Sequence, residues 1–175
     1  EYIRPSGSPA SFFSIVVPET DTPPDDLPPV IDPSSLEGHQ LLVVDDNATN
    51  RRILCLQGQR WGMVTHEVAS GEEAQEFLNS RPRPDVAILD MHMPEMDGLE
   101  LAEKIQSNPR LYALPLIMLS SAGMVMTPDD PRRKAFVSWF NKPVKKAQLC
   151  QALARALIEP PPEASACAQR SGAST

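Results

Sequence analysis

The sequence predicts an α/β protein with a doubly wound parallel sheet of five strands. Three observations lead there. Short, largely apolar runs recur at residues 41–44, 64–68, 86–89, 116–119 and 137–140. Several of them lack the polar alternation of a half-exposed strand, as expected for strands covered on both faces. Segments with helical spacing alternate with these runs, and strand–helix alternation closes a parallel sheet through crossover helices. The alternation fills residues of about 39–158, enough chain to bury a substantial core.

Each element has its own signal. Leu41, Leu42, Val43 and Val44 form the first strand. Residues 48–61 read as a helix that Gly62 ends, and residues 64–68 as the second strand. Ser70-Gly-Glu-Glu73 is a capping box, in which hydroxyl and carboxylate satisfy free backbone N–H groups. Ala74, Phe77 and Leu78 follow at helical spacing, and Pro84 closes that segment. Val86 to Leu89 make the third strand. Gly98, Leu101, Ala102 and Ile105 share one face of a third helix, stopped at Asn108-Pro109. Leu116 to Leu119 and Val137 to Phe140 supply the last two strands. Leu149, Ala152, Leu153, Ala156 and Leu157 form the apolar stripe of an amphipathic final helix. Between the last two strands, Pro128 and Pro131 leave little room for a helix, so the fourth is expected to be short or irregular.

The ends of the 175-residue chain differ from its middle. Eight of the 19 prolines precede Glu37, and Pro160, Pro161 and Pro162 lie together near the other end. Residues 1–38 read as a linker of extended, proline-fixed chain. Residues 159–175, rich in Pro, Ala and Ser, read as a flexible tail. Beginning at Glu1, the chain reads as part of something longer. The formal net charge of -7 argues against direct contact with nucleic acid. No apolar run reaches the roughly 18–20 residues of a membrane span, and no signal-peptide layout opens the chain. This segment is therefore expected to make no membrane contact. Cys55, Cys150 and Cys167 are far apart and odd in number, without metal-ligand spacing, which suits a reducing cytoplasm. Cys55 and Cys150 read as small buried hydrophobes.

Doubly wound sheets bind ligands at the carboxyl ends of their strands. Here the first strand ends in Asp45-Asp46, the third in Asp90, the fourth in Ser120-Ser121 and the fifth in Asn141-Lys142-Pro143. Clustered carboxylates stay ionised together only with a cation among them. Mg2+ suits such an oxygen-only set. Lysine adds a compact positive charge for a phosphoryl oxygen, and a hydroxyl adds a donor. Asp carboxylates can accept phosphoryl groups as nucleophiles. The set reads as a receptor for a tetrahedral anion on or beside an aspartate.

The segments Leu42-Val-Val-Asp-Asp-Asn47, Asp90-Met-His-Met-Pro-Glu-Met-Asp-Gly98, Leu119-Ser-Ser121 and Lys142-Pro143 resemble the receiver domain of two-component response regulators. Their order and their placement at strand ends carry the resemblance, which covers residues of about 39–158. The Asp-Asp-Asn-Ala-Thr-Asn-Arg start is most like receivers fused to hybrid sensor histidine kinases. Residues of about 8–17, with Phe12, Phe13, Ile15, Val16 and Val17, are similar to the terminal strand of a kinase ATP-binding domain.

The resemblance implies a flavodoxin-like (βα)5 fold and a phosphorelay function. Asp90 would accept a phosphoryl group from a phosphohistidine. Asp46, Asp90 and the His92 backbone carbonyl would bind Mg2+, with Asp45 acting through a water. Lys142 would pair with Asp90 and then with phosphoryl oxygens. Ser120, rather than Ser121, would be the switch hydroxyl. Trp139 takes the switch-aromatic position, although its type equally suits the core. The Lys142–Pro143 bond would be cis. The implied partners are a histidine kinase domain, in the same polypeptide, and a histidine phosphotransfer protein. Such a domain promotes its own phosphorylation by small donors and its own dephosphorylation. The methionines Met91, Met93 and Met96 read as packing, and the His39, His66 and His92 rings as incidental.

Three other functions compete. A pseudo-receiver that only binds partners would need none of Asp45, Asp46, Asp90 and Lys142. A Mg2+-dependent aspartyl phosphatase would carry a second aspartate two residues after its nucleophile, where this chain has His92. A dinucleotide-binding domain would carry GxGxxG after the first strand, which is absent here.

Overall fold

The computed structural model describes residues 33–121 and 131–158. The elements are β1 (Gln40–Val44), α1 (Ala48–Arg60), β2 (Val64–Val68), α2 (Gly71–Ser80), β3 (Val86–Asp90), α3 (Gly98–Ser107), β4 (Leu116–Ser120), β5 (Ser138–Asn141) and α4 (Lys146–Ile158). All five strands are parallel, in the order β2-β1-β3-β4-β5. This is the doubly wound, flavodoxin-like sheet. Its strand order reverses between β1 and β3.

The apolar runs become strands because both of their faces find cover. β3 and β4 are buried along their whole length, and β1 from Leu41 onward. Alternate residues feed two cores. Leu42, Val44, Ala87, Leu89, Leu116 and Met118 pack with α2 and α3. Leu41, Val43, Val86, Ile88, Ile117 and Leu119 pack with α1 and α4. Each buried Leu, Ile or Val side chain contributes about 1.5–3 kcal/mol relative to exposure. The edge strands β2 and β5 are only partly covered, consistent with their mixed sequences.

The helix ends follow local chemistry. At the end of α1, the amides of Gly62 and Met63 bond the Gln59 and Gly58 carbonyls. Gly62, at φ +78°, supplies the left-handed residue that this closure requires. Ser70 caps α2 by accepting from the Glu73 amide, but the Glu73 carboxylate reaches the Ala69 amide, one residue outside the expected box. Asp97 and Glu100 form a full capping box on α3 that the sequence reading did not identify.

Other differences concern boundaries. β5 lies one residue later than expected, at Ser138–Asn141. Its pairing of Ser138 with Ile117, and not composition, sets the register. Residues 33–36, read as linker, form a 3-10 helix whose Leu36 is fully buried in the α1–α4 core. Four α-helices occur among the described residues. Between β4 and β5 the described chain forms only a 3-10 helix, Pro131–Ala135, as expected for a short or irregular fourth helix. Residues 1–32, with their strand-like segment, residues 122–130 and residues 159–175 lie outside the described residues.

Gly98 fixes how α3 meets the sheet. A Cβ there would strike the Asp90 carbonyl oxygen and the Met118 methyl group. The Gly98 amide also donates to the Met91 carbonyl at 3.1 Å. The helix start is thus pressed against the end of β3. Gly98→Ala is expected to cost about 1–3 kcal/mol, as for overpacking a tight site, read by urea denaturation. An unchanged midpoint would mean that the loop yields freely.

Candidate functional site

Strand register builds the site. Val44 pairs with Leu89, Asp90 with Leu119, and Ser120 with Asn141. The residues that close β1, β3, β4 and β5 therefore meet on one rim, beside the point where strand order reverses.

Asp45 is almost completely buried, and all of its polar atoms are engaged. Its amide donates to the Val68 carbonyl at 3.4 Å, and its carbonyl accepts from Arg51 Nη1 at 2.6 Å. Oδ1 accepts from the Asn47 amide at 2.9 Å, and Oδ2 from Lys142 Nζ at 2.9 Å. Asn47 also caps α1 through the Thr49 and Asn50 amides. Asp46 is exposed at the mouth.

Asp90 is 4 % exposed. Its Oδ2 lies 2.9 Å from Lys142 Nζ, while its Oδ1 is buried with no hydrogen-bond partner. One ammonium thus bridges two buried carboxylates. The Lys142 amide donates to the Ser120 carbonyl at 2.7 Å, and the Lys142–Pro143 peptide bond is cis. The bond to Ser120 anchors Lys142 at the end of β5, from which its side chain crosses the rim to Asp45 and Asp90.

The electrostatics follow from burial. Desolvation pushes the Asp90 carboxyl above its usual range, Lys142 and the nearby His92 amide pull it back in part, and Asp45 adds to the rise. Burial works against the charged Lys142 ammonium, but its hydrogen bonds and attraction to Asp45 and Asp90 outweigh that and raise its pKa. Together they favour an ammonium that stays charged between the acids.

Oxygens of Asp45, Asp46 and Asp90 lie within 4.8 Å of one another, a spacing that a small cation can span. The donor set is oxygen only, which suits a hard divalent ion. The orphaned Asp90 Oδ1 carries a desolvation cost of about 1–3 kcal/mol, which a cation or an incoming group at that atom would offset.

The remaining candidates sit around this centre. Ser120 is fully buried, and its hydroxyl donates to the Ser121 carbonyl at 3.3 Å. Ser121 and the His92 side chain are exposed. Trp139 is partly buried against the α2–α3 core and stacks edge-to-face on Phe136, with centroids 5.5 Å apart. The sequence reading did not assign the second partner of Lys142 or the grip of Arg51 on Asp45. The spacing of Arg51, six residues after Asp45 and one turn into a helix, was the available signal. Cys55 and Cys150 are buried free thiols.

A parallel sheet of this order, with an acidic pocket closed by a lysine at its carboxyl rim, is the architecture of receiver domains of two-component signalling. The chain belongs to the response regulator receiver domain family, which matches residues 41–154. It is 41% identical to chemotaxis protein CheY1 of Helicobacter pylori over 85 residues, covering 48% of this chain and 68% of that protein. It is 33% identical over 124 residues to hybrid signal transduction histidine kinase L of Dictyostelium discoideum, covering 67% of this chain but 7% of the kinase. The fold matches the receiver domain of a Pseudomonas aeruginosa sensor histidine kinase at a TM-score of 0.62 and 25% identity, covering 70% and 99% of the two chains. That domain was solved with a magnesium ion coordinated in its active-site cleft. No helix among the described residues is long and apolar enough to cross a membrane.

Lys142→Met should expose the role of the bridge. Asp90 would lose what holds its pKa down, and stability at pH 7 should fall by about 3 kcal/mol, the lower end for breaking a buried pair. A carboxyl with a raised folded pKa binds protons more readily folded than unfolded, so the variant should regain stability as pH falls. Urea denaturation at pH 7 and pH 5 should show the deficit narrowing on acidification. A deficit that is absent, or that widens at pH 5, would contradict the bridge.

Proposed function

We propose that this domain is the phosphoacceptor of a phosphorelay, with Asp90 receiving a phosphoryl group from a phosphohistidine. The observation that carries this reading is the Asp90 Oδ1 atom, buried and unpartnered beside a charged lysine and two further carboxylates. A nucleophilic oxygen needs lone pairs that no donor already occupies, with fixed positive charge beside it.

The cation that fits is Mg2+. Asp46, Asp90 and the His92 backbone carbonyl would hold it. Asp45 would act through a water, because both its carboxylate oxygens already have partners. Bound there, Mg2+ supplies the charge neutralisation that lets an anionic carboxylate approach an anionic phosphoryl group. The cleft of the Pseudomonas receiver, with its magnesium ion, supports the assignment.

The chain's own residues do the rest. Asp90 Oδ1 attacks phosphorus, the P–O bond forms as the P–N bond breaks, and the imidazole leaves. Lys142 transfers its ion pair from Asp90 Oδ2 to a phosphoryl oxygen. Ser120 rotates away from the Ser121 carbonyl and donates to another phosphoryl oxygen. Trp139 repacks into the space beside it, and the neighbouring surface changes its preference between partners. The same site admits water for slow self-dephosphorylation. The donor is a histidine kinase domain, in the same polypeptide, and a histidine phosphotransfer protein is a further partner; the Dictyostelium hybrid kinase supports that arrangement. The domain works in the cytoplasm, without direct contact to nucleic acid or membrane.

Intact-mass spectrometry after incubation with acetyl phosphate and Mg2+ tests the acceptor. One phosphoryl adduct is expected on the wild type and none on Asp90→Asn or without Mg2+. An adduct on Asp90→Asn, or none on the wild type, would sink the assignment.

The switch has its own readout. The chain has two tryptophans, so Trp61→Phe leaves Trp139 as the sole indole. Its emission is expected to change on adding beryllofluoride with Mg2+, and Ser120→Ala should suppress most of that change. Identical responses with and without the Ser120 hydroxyl would separate Trp139 from the switch.

A further inference from the structure

Arg51 lies in the first turn of α1, and neither the core nor the proposed phosphoryl transfer calls for a cation there. Its guanidinium is nonetheless held from two sides. Nη1 donates to the main-chain carbonyl of Asp45 at 2.6 Å, and Nε lies 3.8 Å from Glu67 Oε2 on β2. The Arg51 side chain is 17 % exposed, so its charge has been largely withdrawn from water. The bond to Asp45 is short and charge-assisted, the stronger class of hydrogen bond.

The carbonyl it grips matters. The Asp45 carbonyl belongs to the planar peptide unit that joins Asp45 to Asp46. Fixing that oxygen fixes the plane, and the plane sets where the Asp46 backbone continues. The other atoms of Asp45 are fixed by Val68, Asn47 and Lys142. Asp46 is exposed and sits at the pocket mouth, so its placement depends on the main chain that leads to it.

We infer that Arg51 is a positioning residue: its guanidinium fork ties the Asp45–Asp46 peptide to β2 and so holds the two carboxylates in the geometry that a divalent cation requires. This rests on the proposed Mg2+ site. A planar fork suits the task, because one nitrogen serves the carbonyl while another faces Glu67.

Charge and position predict opposite effects. As a bare positive charge, Arg51 repels a divalent cation, so its removal would tighten Mg2+ binding. As a positioning group, its removal loosens the carboxylates and weakens binding. Groups that orient ligands without touching the ion typically change affinity by about 10–100-fold. The Arg51 charge faces Glu67, which offsets its repulsion, so the positional effect should dominate.

The test titrates Mg2+ into the full chain by calorimetry for wild type, Arg51→Met and Arg51→Lys, beside urea denaturation without Mg2+. Arg51→Met is expected to weaken binding about tenfold. Arg51→Lys, which keeps the charge but not the fork, should also bind more weakly than wild type. If Arg51→Met does not fold, Arg51→Lys decides alone, since charge cannot explain weaker binding by that variant. Arg51→Lys equal to wild type, or Arg51→Met equal or tighter, would overturn the inference. So would lost stability in either variant with an unchanged Mg2+ affinity. No Mg2+ binding by the wild type itself would instead remove the site on which the inference rests.

Discussion

One ammonium placed between two buried carboxylates is the constraint on which the site depends. Lys142 Nζ is 2.9 Å from both Asp45 and Asp90. Two carboxylates this deep in the sheet rim would repel at close range, and neither is well solvated. Lysine relieves the repulsion from one side: it bonds Asp90 Oδ2 and leaves Oδ1 buried without a hydrogen-bond partner. The result is a carboxylate with one oxygen held and the other bare. That asymmetry is what an acceptor needs, and it follows from packing and charge together.

The fold serves that arrangement. Parallel order puts the carboxyl ends of β1, β3, β4 and β5 on one rim, and burial on both faces keeps the central strands from slipping. A one-residue slip of β3 would turn Asp90 to the opposite face. Gly98 presses α3 against the Asp90 carbonyl, while the Lys142 amide ties the end of β5 to Ser120. The residues proposed to react are thus held by main-chain contacts at the ends of the central strands.

Most of the fold was legible because its signals are local. Apolar runs such as Leu41 to Val44 and Leu116 to Leu119 mark buried strands whatever their neighbours. The strand-end positions of Asp45, Asp46, Asp90, Ser120 and Lys142 placed the candidate residues on a common rim. What escaped depends on distance in space. Leu36 sits in a proline-rich stretch, and only contact with the α1–α4 core reveals it as buried. Glu73 bonds the Ala69 amide in place of the Ser70 amide, a choice that spacing alone does not reveal. Lys142 was paired with Asp90 alone, since sequence cannot reveal that Asp45 offers a second oxygen at equal distance. Arg51 has no role assigned from sequence, because its guanidinium meets the Asp45 carbonyl only in the folded chain.

The central claim is that the unpartnered oxygen of Asp90 carries the phosphoryl group. Its most direct test is to phosphorylate the domain, treat it with sodium borohydride, and sequence the peptides by mass spectrometry. Borohydride reduces an acyl phosphate to the alcohol, so the acceptor aspartate becomes homoserine. The account predicts homoserine at position 90 and unmodified aspartate at positions 45 and 46. Homoserine at either of those positions, or none anywhere in a phosphorylated sample, would contradict it.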